Sequence, residues 1–104
     1  MWRLRDFHGR EVRLTDERLE HIFEHAEMTG REAAIAETLA APGHVIESLS
    51  DSEIWLYYRS YKRTLVGDKY LCVVVKVTSG DAFVVTAYLT DSVKRGRRLW
   101  PRAE

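Results

Sequence analysis

Two histidines four residues apart, His21 and His25, share one face of the helix their surroundings would form. With Glu24 between them, the run His21-Ile22-Phe23-Glu24-His25 has the H-x-x-E-H form of inverted zincins, in which imidazoles hold zinc and the glutamate acts as base. No third ligand follows on another helix. The same imidazoles are therefore also read as proton-transfer groups, since their pKa lies near neutrality, or as part of a solvated helix face.

A second group is cationic and hydroxylic. Arg59 ends one β-type run, Lys69 begins the next, and Thr86, Tyr88 and Thr90 lie on a third. Arginine grips phosphate as a fork and lysine adds a point charge, while tyrosine offers a hydroxyl and a stacking surface. A third group, Lys94-Arg95-Gly96-Arg97-Arg98, precedes Leu99-Trp100-Pro101, and Lys62 with Arg63 forms a further basic loop. Basic clusters beside aromatics suit a nucleic-acid backbone, and equally suit an exposed tail.

The elements that must position these groups follow from periodicity. Residues 2–7 and 10–14 flank His8-Gly9 as a small hairpin. Thr15 is an N-cap before Asp16 and Glu17, and Leu19, Ile22, Phe23 and Ala26 form the apolar stripe of a helix running to about Met28. Thr29-Gly30-Arg31-Glu32 matches a capping box for a second helix, which Pro42-Gly43 ends. From His44 the period becomes two, giving strands at 45–49, 54–59, 67–76 and 80–91. A Ser79-Gly80 turn places Val77 opposite Ala82, and by extension Lys69 opposite Thr90, Leu71 opposite Tyr88 and Val73 opposite Thr86 on one face. The expectation is an α+β domain: two N-terminal helices packed against a four-stranded antiparallel sheet, with the small hairpin in front.

With 104 residues there is room for one domain and one core. No apolar run reaches the ~20 residues of a membrane helix. The single cysteine, Cys72, allows no internal disulfide framework and sits among core residues, which fits a cytoplasmic protein. Net charge is zero but unevenly spread: residues 15–53 carry ten acids against two arginines, and residues 54–104 carry ten bases against four acids. The separation suits either an acidic helical layer facing a basic sheet or a basic surface for an anionic partner.

Taken together, the segments Leu14-Thr15-Asp16-Glu17-Arg18 with His21-Ile22 and His25, Glu37-Thr38-Leu39-Ala40-Ala41-Pro42, Leu56-Tyr57-Tyr58-Arg59, Gly67–Lys76 and Phe83–Asp91 resemble the phage and prophage nuclease-fold domains. That family is grouped with barnase, EndoU, the colicin nuclease domains and the RelE-like toxins. The resemblance covers about residues 10–100 and implies one nuclease-like domain spanning residues 1–104. It also implies metal-independent RNA cleavage without a cofactor. The active groups it implies are a helical histidine (His21 or His25), Arg59 and Lys69 on strands, and Thr86 on the last strand.

The resulting expectation is an endoribonuclease, a toxin or phage-derived effector. His21 or His25 would take the proton of a ribose 2′-hydroxyl, Arg59 and Lys69 would neutralise the phosphorane, and Thr86 and Tyr88 would orient phosphate oxygens. Lys62, Arg63, Thr90, Lys94 and Arg97 would bind substrate RNA. The alternatives are a non-catalytic RNA- or protein-binding module, a zinc hydrolase, or a subunit whose acidic helices dock a basic, antitoxin-like inhibitor.

Overall fold

The computed structural model describes residues 1–102. In chain order the elements are β1 (Trp2–Arg5), β2 (Glu11–Leu14), α1 (Asp16–Phe23), a 3-10 turn (Ala26–Met28), α2 (Glu32–Ala40), β3 (His44–Glu47), β4 (Ile54–Thr64), β5 (Gly67–Val77), β6 (Ala82–Thr90) and β7 (Arg97–Trp100). The strands form one sheet in the order β1-β2-β6-β5-β4-β3-β7. All neighbours are antiparallel except β2 and β6, which run parallel.

This corrects the expected four-stranded antiparallel sheet to a seven-stranded mixed one. Two segments make the difference. The N-terminal hairpin is not a separate feature: β2 joins β6 at Arg13↔Phe83, and the Arg13 guanidinium pairs with Asp81 at the start of β6. The basic segment read as a candidate tail is strand β7, which pairs with β3 through Val45↔Trp100, Ile46↔Arg98 and Glu47↔Arg97. Without β7 the short β3 would expose an unpaired edge.

The helices are shorter than periodicity predicts. Thr15 does cap α1, its hydroxyl accepting from Arg18 N–H at 3.1 Å, but the helix stops at Phe23. The chain then tightens into the 3-10 turn, which buries Met28 completely. No capping box forms at Thr29; its hydroxyl donates to the Phe23 carbonyl, and Arg31 is an N-cap that makes no capping bond, its Nε donating to the Glu27 carbonyl at 2.8 Å. Both helices lie on one face of the sheet. Ile22, Met28, Ile35 and Leu39 pack there against Val12, Leu14, Tyr57 and Val73 as a continuous core.

The β5–β6 hairpin starts in the expected register, Val77↔Ala82 to Val75↔Val84. A bulge at Val85 then shifts it, so that Val74 meets Thr86, Cys72 meets Tyr88 and Tyr70 meets Thr90. Because side chains alternate along a strand, a one-residue slip exchanges faces. Leu71, Val73 and Ala87 therefore turn to the helices, and Cys72 and Tyr88 turn away.

On that second face Ile46, Leu56, Tyr58 and Cys72 form a smaller apolar cluster. The link from β6 to β7 must pass over β5, β4 and β3, and does so across this cluster. Val93 packs on it and Lys94 N–H donates to the Tyr58 hydroxyl at 3.2 Å. Burial and the Tyr58 and Tyr88 hydroxyls surround the Cys72 thiol, and burial pushes its pKa up to about 11.

Candidate functional site

A seam forms where the β1–β2 turn touches β7. The turn between β1 and β2 brings Phe7 to Trp100 on β7, ring centroids 5.3 Å apart, and His8 stacks on Phe7 at 4.1 Å. The turn is built by Asp6. Its Oδ1 accepts from the backbone N–H of His8 at 3.0 Å and of Arg10 at 2.9 Å, and Gly9 supplies the left-handed backbone at φ 81°. Asp6 Oδ2 accepts from the Tyr57 hydroxyl at 2.7 Å and the Arg10 guanidinium at 3.2 Å. The carboxylate is wholly buried and fully bonded. Burial first, and then the bond to Asp6, raise the Tyr57 pKa far above its ordinary value. His8 is thus presented on a turn anchored in the core.

Two hollows flank this histidine. One, of about 460 Å³, lies between Phe7, His8 and Trp100 on one side and Ala40-Ala41-Pro42 with Arg59 on the other. The second, of about 330 Å³, is lined by His8, Trp55, Arg97, Arg98 and Arg102. Arg10 stacks over the Trp55 ring at 4.6 Å. Arg97 reaches Glu47 only at 3.8 Å, and among the described residues no carboxylate lies within ion-pair distance of Arg98 or Arg102. The seam therefore joins exposed aromatic surface, an imidazole and, among the described residues, the Arg98 and Arg102 guanidinium groups without an ion-pair partner.

Arg59 is positioned differently. Its Nη1 donates to the Ala41 carbonyl at 2.7 Å, at the C-terminal end of α2, and its Nε pairs with Glu37 at 3.3 Å. The Tyr61 hydroxyl also donates to Glu37, and that bond leads the causes lowering the Glu37 pKa. Arg59 is a wall of the first hollow whose charge is already met.

The other residues singled out in the sequence are dispersed. His21 and His25 are exposed. The His21 imidazole faces Glu24 at 3.1 Å and opens on a depression lined by Glu17, Arg18, Glu20 and Phe23, apart from Arg59 and Lys69. Lys69 lies opposite Tyr61 and pairs with Asp91. Thr86, Tyr88 and Thr90 are on the sheet face away from the helices, whereas Arg59 shares the helix face with its cross-strand partner Leu71. The expected convergence of Arg59 with Tyr88 is corrected by the Val85 bulge. Lys62 and Arg63 are exposed near the β4–β5 turn, Lys94 is on the strap over Tyr58, and Arg97 alone of the expected binding residues lines the seam.

Sequence reasoning missed Phe7, His8 and Trp55. The available signal was the string Asp6-Phe7-His8-Gly9-Arg10, a turn with an imidazole and an aromatic at its tip. Among the described residues no group of three His, Cys, Asp or Glu side chains is placed to hold a metal ion, so the H-x-x-E-H run gathers no third ligand. No helix is long and apolar enough to cross a membrane.

No protein-family description matches the chain, and neither the curated proteins nor the solved structures compared with it hold a match.

Proposed function

We propose that this domain binds single-stranded RNA along the seam and cleaves it at His8 by attack of the ribose 2′-hydroxyl. The observation that carries the proposal is the imidazole held on a core-anchored turn between an aromatic hollow and an arginine-lined one. Bases stack on the exposed Trp100 beside the half-buried Phe7, and Arg97, Arg98 and Arg102 hold the adjoining phosphates. His8 accepts the 2′-hydroxyl proton as the oxygen bonds to phosphorus. The P–O5′ bond breaks as a water molecule protonates the leaving 5′-oxygen, giving a 2′,3′-cyclic phosphate and a 5′-hydroxyl end. The guanidinium groups offset charge building on the phosphoryl oxygens.

This reading keeps the RNA chemistry expected from the sequence resemblance and moves proton transfer from His21 or His25 to His8. One observation favours the non-catalytic alternative on the same surface: among the described residues the two hollows hold one imidazole and no carboxyl group. The test is RNA binding and cleavage in EDTA by wild type, His8→Ala and the His21→Ala/His25→Ala double variant. His8→Ala should lose about 10²–10⁴ in cleavage rate, with the double variant unchanged. Binding without cleavage in wild type selects the non-catalytic module, and absence of binding ends the RNA reading.

A further inference from the structure

Strands β4 and β5 outrun their neighbours. β3 follows β4 only to Tyr58 and β6 follows β5 only back to Tyr70, yet the β4–β5 ladder continues through Tyr61↔Lys69 to Thr64↔Gly67. Residues 60–69 therefore project as an arm of about 15 Å, at roughly 3.3 Å per residue. Its base is braced by α2, where the Tyr61 hydroxyl meets the Ala34 carbonyl at 3.3 Å. Its tip is tightly bonded. Thr64 Oγ1 donates to the Gly67 carbonyl and accepts from Val66 N–H at 3.2 Å, and Arg63 N–H donates to Asp68 at 2.9 Å.

This turn holds Leu65 80% and Val66 51% exposed. Lys62 and Arg63 stand exposed directly behind them, with no ion pair among the described residues. A single exposed leucine needs no explanation. Two adjacent apolar side chains held outward by a bonded turn at the end of a braced arm, with unpaired cations behind, form a wedge with anion-holding flanks.

We propose that the β4–β5 arm engages the base-paired end of a structured RNA. Leu65 and Val66 press against the terminal base pair while Lys62 and Arg63 hold the phosphates beside it. Apolar side chains separate base steps in this way, and a helix end is where unstacking costs least. The inference rests on the RNA reading of the seam and names its substrate class: a helix adjoining a single strand. The spacing fits, because Arg59 on the seam wall and Leu65 just past the end of β4 are six residues apart, under about 20 Å. A helix docked at the tip would deliver its unpaired strand into the seam.

The test compares a single-stranded 12-mer with a hairpin RNA carrying the same 12-mer as its tail and 2-aminopurine in the closing base pair. The full chain should bind the tailed hairpin about tenfold tighter, the worth of one stacked base, with a rise in 2-aminopurine fluorescence. The variant Leu65→Ser/Val66→Ser should lose both the preference and the fluorescence rise while binding the 12-mer as wild type does. Lys62→Gln/Arg63→Gln should lower the salt slope for the tailed hairpin by about two. Preference and fluorescence retained in the serine variant overturn the wedge. Wild type that binds the 12-mer but shows no preference overturns the wedge and leaves the seam standing, whereas binding to neither RNA overturns both. Leu65-dependent binding to phosphatidylserine vesicles, with no hairpin preference, makes the arm a lipid contact and overturns the proposal.

Discussion

Replacing Asp6 by asparagine changes one atom in the part of the fold that presents His8. Each carboxylate oxygen accepts two hydrogen bonds: Oδ1 from the His8 and Arg10 amides, Oδ2 from the Tyr57 hydroxyl and the Arg10 guanidinium. Asparagine fills the same volume, but only one of its two terminal atoms can accept. Whichever way the amide is turned, its NH2 faces two donors. Two hydrogen bonds to a charged group are lost, at about 1.5–3 kcal/mol each, and Arg10 keeps its charge without its buried partner. The net cost should be about 3–5 kcal/mol, as for breaking a buried pair.

For a domain of this size each kcal/mol moves Tm by roughly 4–8 °C, so a fall of more than about 12 °C is expected. Urea unfolding at neutral pH gives the free energy directly. A double-mutant cycle with Tyr57→Phe isolates the hydroxyl–carboxylate bond and should return a coupling of about 1–2 kcal/mol. An Asp6→Asn protein within about 0.5 kcal/mol of wild type, or strict additivity with Tyr57→Phe, would refute the account of the turn.

Three further outcomes follow from the geometry. Cys72 is held up by burial to about 11 and Tyr58 to about 12, so on raising pH the unfolded chain releases these protons first. Their stabilising contribution is whole below the unfolded values of 9.0 and 10.0 and is lost as pH climbs to the folded ones. The loss is up to about 1.4 kcal/mol per pH unit for each group; a Tm flat from pH 8.5 to 11 would contradict it. A Cβ at Gly96 would lie 2.5 Å from both the Glu47 carbonyl oxygen and Ile46 Cγ2, so Gly96→Ala should cost about 1–3 kcal/mol in urea unfolding. Trp100→Ala should weaken single-stranded RNA binding by about 1–3 kcal/mol by fluorescence anisotropy, and an unchanged affinity would remove the seam as the binding surface.

Local signals were legible in the sequence where one short-range rule decided the outcome. Thr15 caps a helix because its hydroxyl meets an amide three residues on, and the Ser79-Gly80 turn fixes the first pairs of β5 and β6. Legibility ended at the Val85 bulge, which no residue type announces and which moves Thr86, Tyr88 and Thr90 to the face opposite Arg59. The parallel seating of β2 on β6 and the recruitment of β7 to β3 depend on contacts between distant parts of the chain. Charge patterning marked Arg97 and Arg98, and the structure sets them beside His8, away from the depression that His21 lines. His8 carried no periodic signal because it sits in a turn, where position is set by the carboxylate of Asp6 rather than by alternation.

The contact of Phe7 with Trp100 has a consequence for biosynthesis. A ribosome releases His8 about ninety residues before Trp100. Until β7 emerges, the first hollow lacks Trp100 and the second lacks Arg97, Arg98 and Leu99. Both hollows are completed by one segment, when β7 emerges and Trp100 meets Phe7.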